Sequence, residues 1–174
     1  MNSLFKYQKY STLFSLILGT ILHFTYEWSG NKAFVGLFSA VNESTWEHLK
    51  LIFFPMLITI IIGYFYIGKN VPNFLCAKTL GIITSILFTI IFFYTYTGIL
   101  GTNFAFLNIL TFIISIIIGE YIAYKFMISN LLCNKELSIF LLSLFLFSFI
   151  FFTYFTPKIG LFEDPATCYY GIFK

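Results

Sequence analysis

The composition of the chain is that of an integral membrane protein. It has 174 residues, of which 59% are apolar, 22% aromatic and only 10% charged. Soluble domains carry about 25% charged residues, so the lipid bilayer is the expected surroundings. The net charge is only +3, arginine is absent and the lysines are scattered, which excludes the clustered basic face of a nucleic-acid-binding protein.

Hydropathy along the chain predicts an all-α bundle that forms a single transmembrane domain over 1–174. A helix needs about 20 mostly apolar residues to cross the hydrocarbon. The first apolar run follows Lys6 and Lys9, as in a signal peptide, but no small-residue cleavage site comes after it, so we interpret it as a retained span. The five predicted spans are 11–28, 45–67, 76–98, 103–127 and 136–156, followed by a C-terminal tail at 157–174.

The lysines predict how these spans are oriented. Five spans place the two termini on opposite sides, and cytoplasmic segments are enriched in lysine. Six lysines fall on the N-terminal side and four on the other. We therefore expect a bacterial plasma-membrane protein with its N-terminus inside and its C-terminal tail outside.

The cysteines predict no covalent framework. Cys76, Cys133 and Cys168 are far apart, odd in number and form no CxxC pair. This spacing argues against both a disulfide framework and a zinc knuckle.

Small residues recur at helical spacing within the spans. Gly19 and His23 share a face in the first span, and Ser115, Gly119 and Ala123 share one in the fourth. Such stripes let helix backbones approach closely in lipid. They predict one compact bundle.

Polar chemistry is concentrated between His23 and Lys50, a stretch that holds both histidines and three of the seven acidic residues. His23 and Glu27 are four residues apart and share a helix face. Imidazole and carboxylate groups ligate Zn, Mn or Fe, and helix bundles build metal sites from facing helices. We predict a divalent metal held by His23, Glu27 and His48, with Glu47 as the catalytic base.

Simpler interpretations of these residues stay open. A hydrogen bond within its own helix would also explain His23. At 100° per residue, Glu43, Glu47 and Lys50 fall away from the direction of His48 and can neutralise one another at the helix end. Adjacent Glu47 and His48 cannot both face one ion unless the helix is bent.

Aromatic and amide side chains flank this region. Trp28, Trp46 and Asn42 are predicted to line a substrate pocket that opens sideways to the outer leaflet, because Trp combines an apolar body with a polar tip. Glu120 is the only acid deep in a later span. It is predicted either to relay protons or to extend to the cytoplasmic interface.

Three segments carry a resemblance to a known family: HFTYEWSGN at 23–31, VNESTWEHLK at 41–50 and LFEDPATCYYGIFK at 161–174. At these segments the chain resembles a family of small multipass membrane proteins from Gram-positive anaerobes, whose function is unknown. The resemblance extends over nearly the whole chain. It implies a multipass fold and brings no activity with it.

The leading functional hypothesis is a metal-assisted hydrolase, or a related enzyme, that acts on a lipid or another membrane-embedded substrate. One alternative is a small transporter or binding subunit in which the same groups bind a cation or a proton. Another is a non-catalytic partner protein whose polar stripes only pack helices. The sequence does not specify a substrate or an oligomeric state.

Overall fold

Five α-helices make up the bundle in a computed structural model that describes residues 2–129, 131 and 133–172. The all-α fold class is confirmed, and within the described residues the β-structure is limited to one isolated bridge between Glu163 and Tyr170. Short 3₁₀ turns follow α1 and α2. The helices are α1 (Asn2–Trp28), α2 (Thr45–Tyr66), α3 (Phe74–Leu100), α4 (Ala105–Met127) and α5 (Lys135–Tyr154), and the 3₁₀ turns are Val35–Leu37 and Gly68–Asn70.

Four of these helices, α2 to α5, are long and apolar enough to cross a membrane. Helix α1 has 27 residues and is therefore about 40 Å long at 1.5 Å per residue. It carries Lys6, Lys9 and Glu27, but Leu13 and Ile17 are more than half exposed, at 52% and 54%. Its spanning of the membrane stays a prediction.

Helices α1 to α4 form a closed ring. Each packs on the next, α4 packs back on α1, and α5 lies outside the ring against α3 and α2. One end of the ring holds the C-terminus of α1 with His23 and the N-terminus of α2 with His48, and we call it the histidine end. The other end holds Cys76 at the start of α3, and we call it the cysteine end.

The packing of α3 against α4 depends on glycine. A Cβ on Gly81 would lie 2.7 Å from the carbonyl oxygen of Gly119, which is too short for any real contact. Nearby, Ser85 Oγ donates a hydrogen bond of 2.9 Å to the Ser115 carbonyl. The small-residue stripe that the sequence shows on the fourth span is thus where the two backbones meet.

A disulfide joins Cys76 to Cys133, with their Cα atoms 5.7 Å apart. The prediction that the cysteines form no such bond was wrong for this pair, whereas Cys168 is free and exposed. The reason is long-range: the two cysteines are 57 residues apart, and Cys133, just before α5, lies against the first turn of α3. Spacing along the chain cannot show that proximity.

Two cues to the orientation of the protein disagree. Lys50 and Lys78 are both fully buried and so do not belong in a count of lysines at the membrane surfaces. Without Lys78 the N-terminal side has five lysines, and without Lys50 the other side has three. Lysine enrichment still favours a cytoplasmic N-terminus. The disulfide lies at the same end, although disulfides persist mainly in oxidising compartments.

We expect the orientation to follow the lysine bias, which places Cys168 on the outer side of the membrane. In a Cys76→Ser/Cys133→Ser variant Cys168 is the only thiol, and an impermeant maleimide should label it on intact cells. A Cys168→Ser variant, treated with a permeant reductant, is the matched control and should label only after permeabilisation. Labelling of Cys168 that also requires permeabilisation would contradict the predicted orientation.

Candidate functional site

The first turn of α2 fixes the orientation of His48. Ser44 is the N-cap of the helix, and its Oγ accepts a hydrogen bond of 3.3 Å from the backbone N–H of Glu47. One turn further on, His48 Nδ1 lies 2.9 Å from the Ser44 carbonyl oxygen. Because a carbonyl oxygen can only accept, Nδ1 donates this hydrogen bond, which leaves Nε2 as the ring nitrogen that can act as a metal ligand.

Two further polar side chains meet His48. Glu43 Oε2 lies 3.4 Å from His48 Nε2, and the ring centroids of His23 and His48 are 5.1 Å apart. One donor atom from each of these three residues lies within 4.8 Å of the other two. We call His23, Glu43 and His48 the donor triad.

The donor triad has the chemistry of a divalent metal site. His23 Nδ1 is buried, and in the described part of the chain it has no hydrogen-bond partner, although buried polar atoms are nearly always paired. Two imidazoles and one carboxylate are the donor set of many catalytic zinc sites, which keep a fourth position open. A carbonyl that accepts from the second nitrogen, as Ser44 does for His48, is a common support for a histidine ligand.

The carboxylate of the triad comes from Glu43, whereas the sequence pointed to Glu27. Glu27 lies in the last turn of α1 and is exposed, and it is not a member of the triad. Helical angles place Glu43 away from His48, but α2 begins at Thr45. Glu43 therefore belongs to the preceding turn, where a helical angle does not apply, and this turn brings it back to His48.

Glu47 is held in a buried ion pair with Lys50, one turn along α2. Both side chains are at most 2% exposed. Glu47 accepts hydrogen bonds from the Val41 backbone N–H and the Thr153 hydroxyl, both at 3.1 Å. Lys50 Nζ donates to the Gly36 carbonyl at 2.7 Å. The predicted base is thus fully engaged in linking α2 to the preceding loop and to α5.

A cavity of about 650 Å³ lies beside the donor triad, at the histidine end of the ring. All three triad residues line it. Its walls combine aliphatic and aromatic side chains with a few hydroxyl and amide groups. The other lining residues are Gly19, Thr20, Phe24, Thr45, Leu51, Ile52, Thr89, Phe93, Asn103, Ala105, Asn108, Ile109, Thr111, Phe112, Pro165 and Ala166.

The three predicted pocket residues are not among those that line this cavity. Trp28 is 70% exposed and stacks on Phe24, with ring centroids 5.7 Å apart. Trp46 packs instead against Phe149, at a centroid distance of 4.7 Å. The Asn42 side-chain amide donates to the Gly171 carbonyl at 3.1 Å. Trp28 is therefore next to the cavity, while the other two residues fasten α5 and the tail.

The tail reaches the cavity through Pro165 and Ala166. Asp164 stabilises that turn, since its carboxylate accepts from the Ala166 N–H at 2.9 Å and from the Thr167 hydroxyl at 2.8 Å. Tyr170 donates its hydroxyl proton to Glu163, and this hydrogen bond raises the pKa of Tyr170. Residues 157–172 of the tail thus cover the histidine end.

Glu120 forms a second buried cluster, at the cysteine end. It is 1% exposed, and its carboxylate lies 2.6 Å from Lys78 Nζ. Ser11 donates a hydrogen bond of 2.8 Å to it, and the Gln8 amide donates another. The prediction that Glu120 extends to the interface was therefore wrong. The sequence analysis did not identify Lys78 as the partner of Glu120. The sequence does carry a signal for it, because Lys78 is itself an ionisable residue within an apolar span.

Comparison with known proteins assigns a family but no activity. The model of a family of unknown function, DUF6512, matches residues 1–172. No curated protein and no solved structure matches the chain. The function has to be inferred from the geometry of the site.

The Lys78–Glu120 pair predicts a large asymmetry between single and double substitutions. Glu120→Gln leaves a buried ammonium group without its counter-charge, and we expect it to lower the free energy of unfolding by about 3–5 kcal/mol. The double variant Lys78→Met/Glu120→Leu removes both charges and should lower the free energy of unfolding far less. Unfolding in detergent measures both, with exposed Glu136→Gln as the control. A double variant as unstable as Glu120→Gln would contradict this account of the pair.

Proposed function

We propose that the chain, which belongs to DUF6512, is a membrane hydrolase that uses a divalent metal and acts on a lipid-like substrate. The observation that carries the proposal is the donor triad: three potential ligands within 4.8 Å of one another at the wall of a cavity. The triad supplies a place for a metal, and the cavity supplies a place for a substrate beside it.

The residues of the triad suit a metal such as Zn²⁺, Mn²⁺ or Fe²⁺. When bound, such an ion supplies an acidified water and polarises an ester or phosphoryl oxygen. The protein itself fixes one ligand, because the Ser44 carbonyl holds the orientation of the His48 ring, while one ring nitrogen of His23 would supply the second. Glu43 supplies the negative charge that a divalent ion requires.

The cavity suits an amphipathic guest. Its volume of about 650 Å³ falls within the range of about 300–1,000 Å³ that is usual for small-molecule sites. Asn108 lines it, and the Asn108 Oδ1 accepts a hydrogen bond from the Tyr96 hydroxyl. That hydrogen bond fixes the orientation of the Asn108 amide. Within the described residues the NH₂ group of Asn108 makes no hydrogen bond, so this group is a donor available to a polar part of the substrate.

Transport of a cation receives less support from the same geometry. On α2 and α4, the residues that line the cavity extend from the histidine end only as far as Ile52 and Phe112. Neither Lys78 nor Glu120 lines this cavity or the smaller one beside it. A cavity confined to one end of the bundle fits binding and chemistry better than passage across the membrane.

Metal binding can be tested through protein stability. A ligand that binds only the folded state stabilises it by about 2.7 kcal/mol at 100 times its dissociation constant. We expect Zn²⁺ or Mn²⁺ to raise the melting temperature of the detergent-purified protein. His23→Ala and Glu43→Gln should abolish that rise, whereas Glu27→Gln should retain it. A metal response that survives both triad substitutions but is lost in Glu27→Gln would contradict the assignment of ligands.

Hydrolysis can be tested with a panel of fluorogenic lipid esters and lipid phosphate esters in mixed micelles. We expect turnover of at least one class, lost on chelation and restored by the metal that stabilises the protein. His48→Ala should lose this turnover while keeping a folded bundle. Exposed Glu136→Gln, at the far end of the bundle, is the control. Turnover that is unchanged by chelation or by His48→Ala would contradict a metal-dependent reaction.

A further inference from the structure

A second concave surface lies next to the cavity, on the outside of the ring. It is a groove of about 380 Å³ between α1 and α4. Its residues are Leu16, Ile17, Thr20, Ile21, Phe112 and Ile113. Ile17 and Ile21 are 54% and 41% exposed, so this groove faces the hydrocarbon if α1 spans the membrane.

The groove offers nothing to a polar ligand. Five of its six residues are apolar, and the sixth, Thr20, uses its hydroxyl to donate a hydrogen bond of 2.9 Å to the Leu16 carbonyl of its own helix. Carbonyl and hydroxyl groups that are already paired do not attract a polar guest. The chemistry of the groove therefore selects hydrocarbon.

The groove adjoins the cavity. Thr20 and Phe112 line both of them. The Phe112 ring packs against Gly19, where a Cβ would lie 2.7 Å from it, so this ring forms the boundary between the two spaces. A chain that leaves the cavity beside the Phe112 ring would thus enter the groove, which is lined mostly by apolar side chains.

The distance along α1 between the groove and the donor triad indicates where the two ends of such a molecule would lie. Leu16 precedes His23 by seven residues in α1, which corresponds to about 10 Å along a helix. A guest whose polar end lies at the donor triad would therefore lay its next carbon atoms against the groove. Thr20 lies between the two, three residues before His23.

We propose that the groove between α1 and α4 holds one hydrocarbon tail of a membrane lipid whose polar end lies at the donor triad. This inference rests on the proposed function, and it adds the substrate class and the route of entry. The substrate is an amphiphile that enters sideways from the bilayer, through the seam between α1 and α4. Its single bound tail sets the position of the polar end relative to the triad.

The location of the tail can be tested by photolabelling. The full chain is reconstituted in phosphatidylcholine vesicles that contain a phosphatidylcholine with a diazirine in one acyl chain, and labelled residues are identified by mass spectrometry. We expect the label to concentrate on Ile17, Ile21 and Ile113 relative to Ile61, an α2 residue with the same 54% exposure as Ile17. Label spread evenly over the groove and Ile61 would overturn the inference.

Filling the groove separates this inference from the proposed function. Ile17→Trp should remove most of the labelling at Ile113, whereas Ile61→Trp should not, and both variants should keep the metal response. For n-alkyl phosphates, wild-type affinity should rise about fourfold per added methylene that enters the groove, and Ile17→Trp should flatten that series. Groove labelling without any metal response would overturn the proposed hydrolase while keeping the groove as a lipid site. A chain-length series unchanged by Ile17→Trp would overturn the groove itself.

Discussion

The buried ion pair between Glu47 and Lys50 is the interaction on which the candidate site depends. Removing two charges from water costs several kcal/mol each, and the pair is tolerable only if its remaining hydrogen-bonding groups are satisfied. Lys50 meets that demand through the Gly36 carbonyl, and Glu47 through the Val41 N–H. Both also contact the Thr153 hydroxyl. The pair thus fixes the loop between α1 and α2, and this loop carries Glu43 to His48.

The polar clusters of the bundle differ in how completely they are paired, and this difference distinguishes the candidate site from the two buried ion pairs. Glu47–Lys50 and Lys78–Glu120 are ion pairs with several hydrogen bonds each, and they fasten the two ends of the ring. The donor triad is less complete. His23 Nδ1 has no partner in the described part of the chain, and Glu43 is exposed. Groups that a fold brings together but leaves unpaired are the natural place for a ligand.

Sequence reasoning was most successful where the relevant signal is local. Hydropathy placed α2 and α4 to within about two residues, at 45–67 and 103–127 against Thr45–Tyr66 and Ala105–Met127, because a span is a property of consecutive residues. His23 and His48 could also be chosen as candidate residues from the sequence, because charged and imidazole side chains are rare in apolar helices. The start of α1 was missed because its first turns carry Lys6 and Lys9 and do not read as a span.

Other misses concern partners that are distant in sequence or outside a helix. Glu120 pairs with Lys78, which lies 42 residues earlier, and Cys76 pairs with Cys133, which lies 57 residues later. Both pairs depend on how helices meet, which periodicity does not specify. Glu43 was misplaced for a different reason: a helical angle was applied to a residue that precedes its helix. Turn geometry at an N-cap can reverse the direction of a side chain within two residues.

The most direct test of the central claim is X-ray absorption spectroscopy at the zinc edge of the zinc-loaded, detergent-purified protein. The donor triad predicts a first shell that includes two imidazole nitrogens at about 2.0–2.1 Å and a carboxylate oxygen at a similar distance. Glu43→Gln should remove the carboxylate contribution, and Glu27→Gln should leave the spectrum unchanged. A zinc spectrum without imidazole scattering, or one that changes in Glu27→Gln but not in Glu43→Gln, would contradict the account.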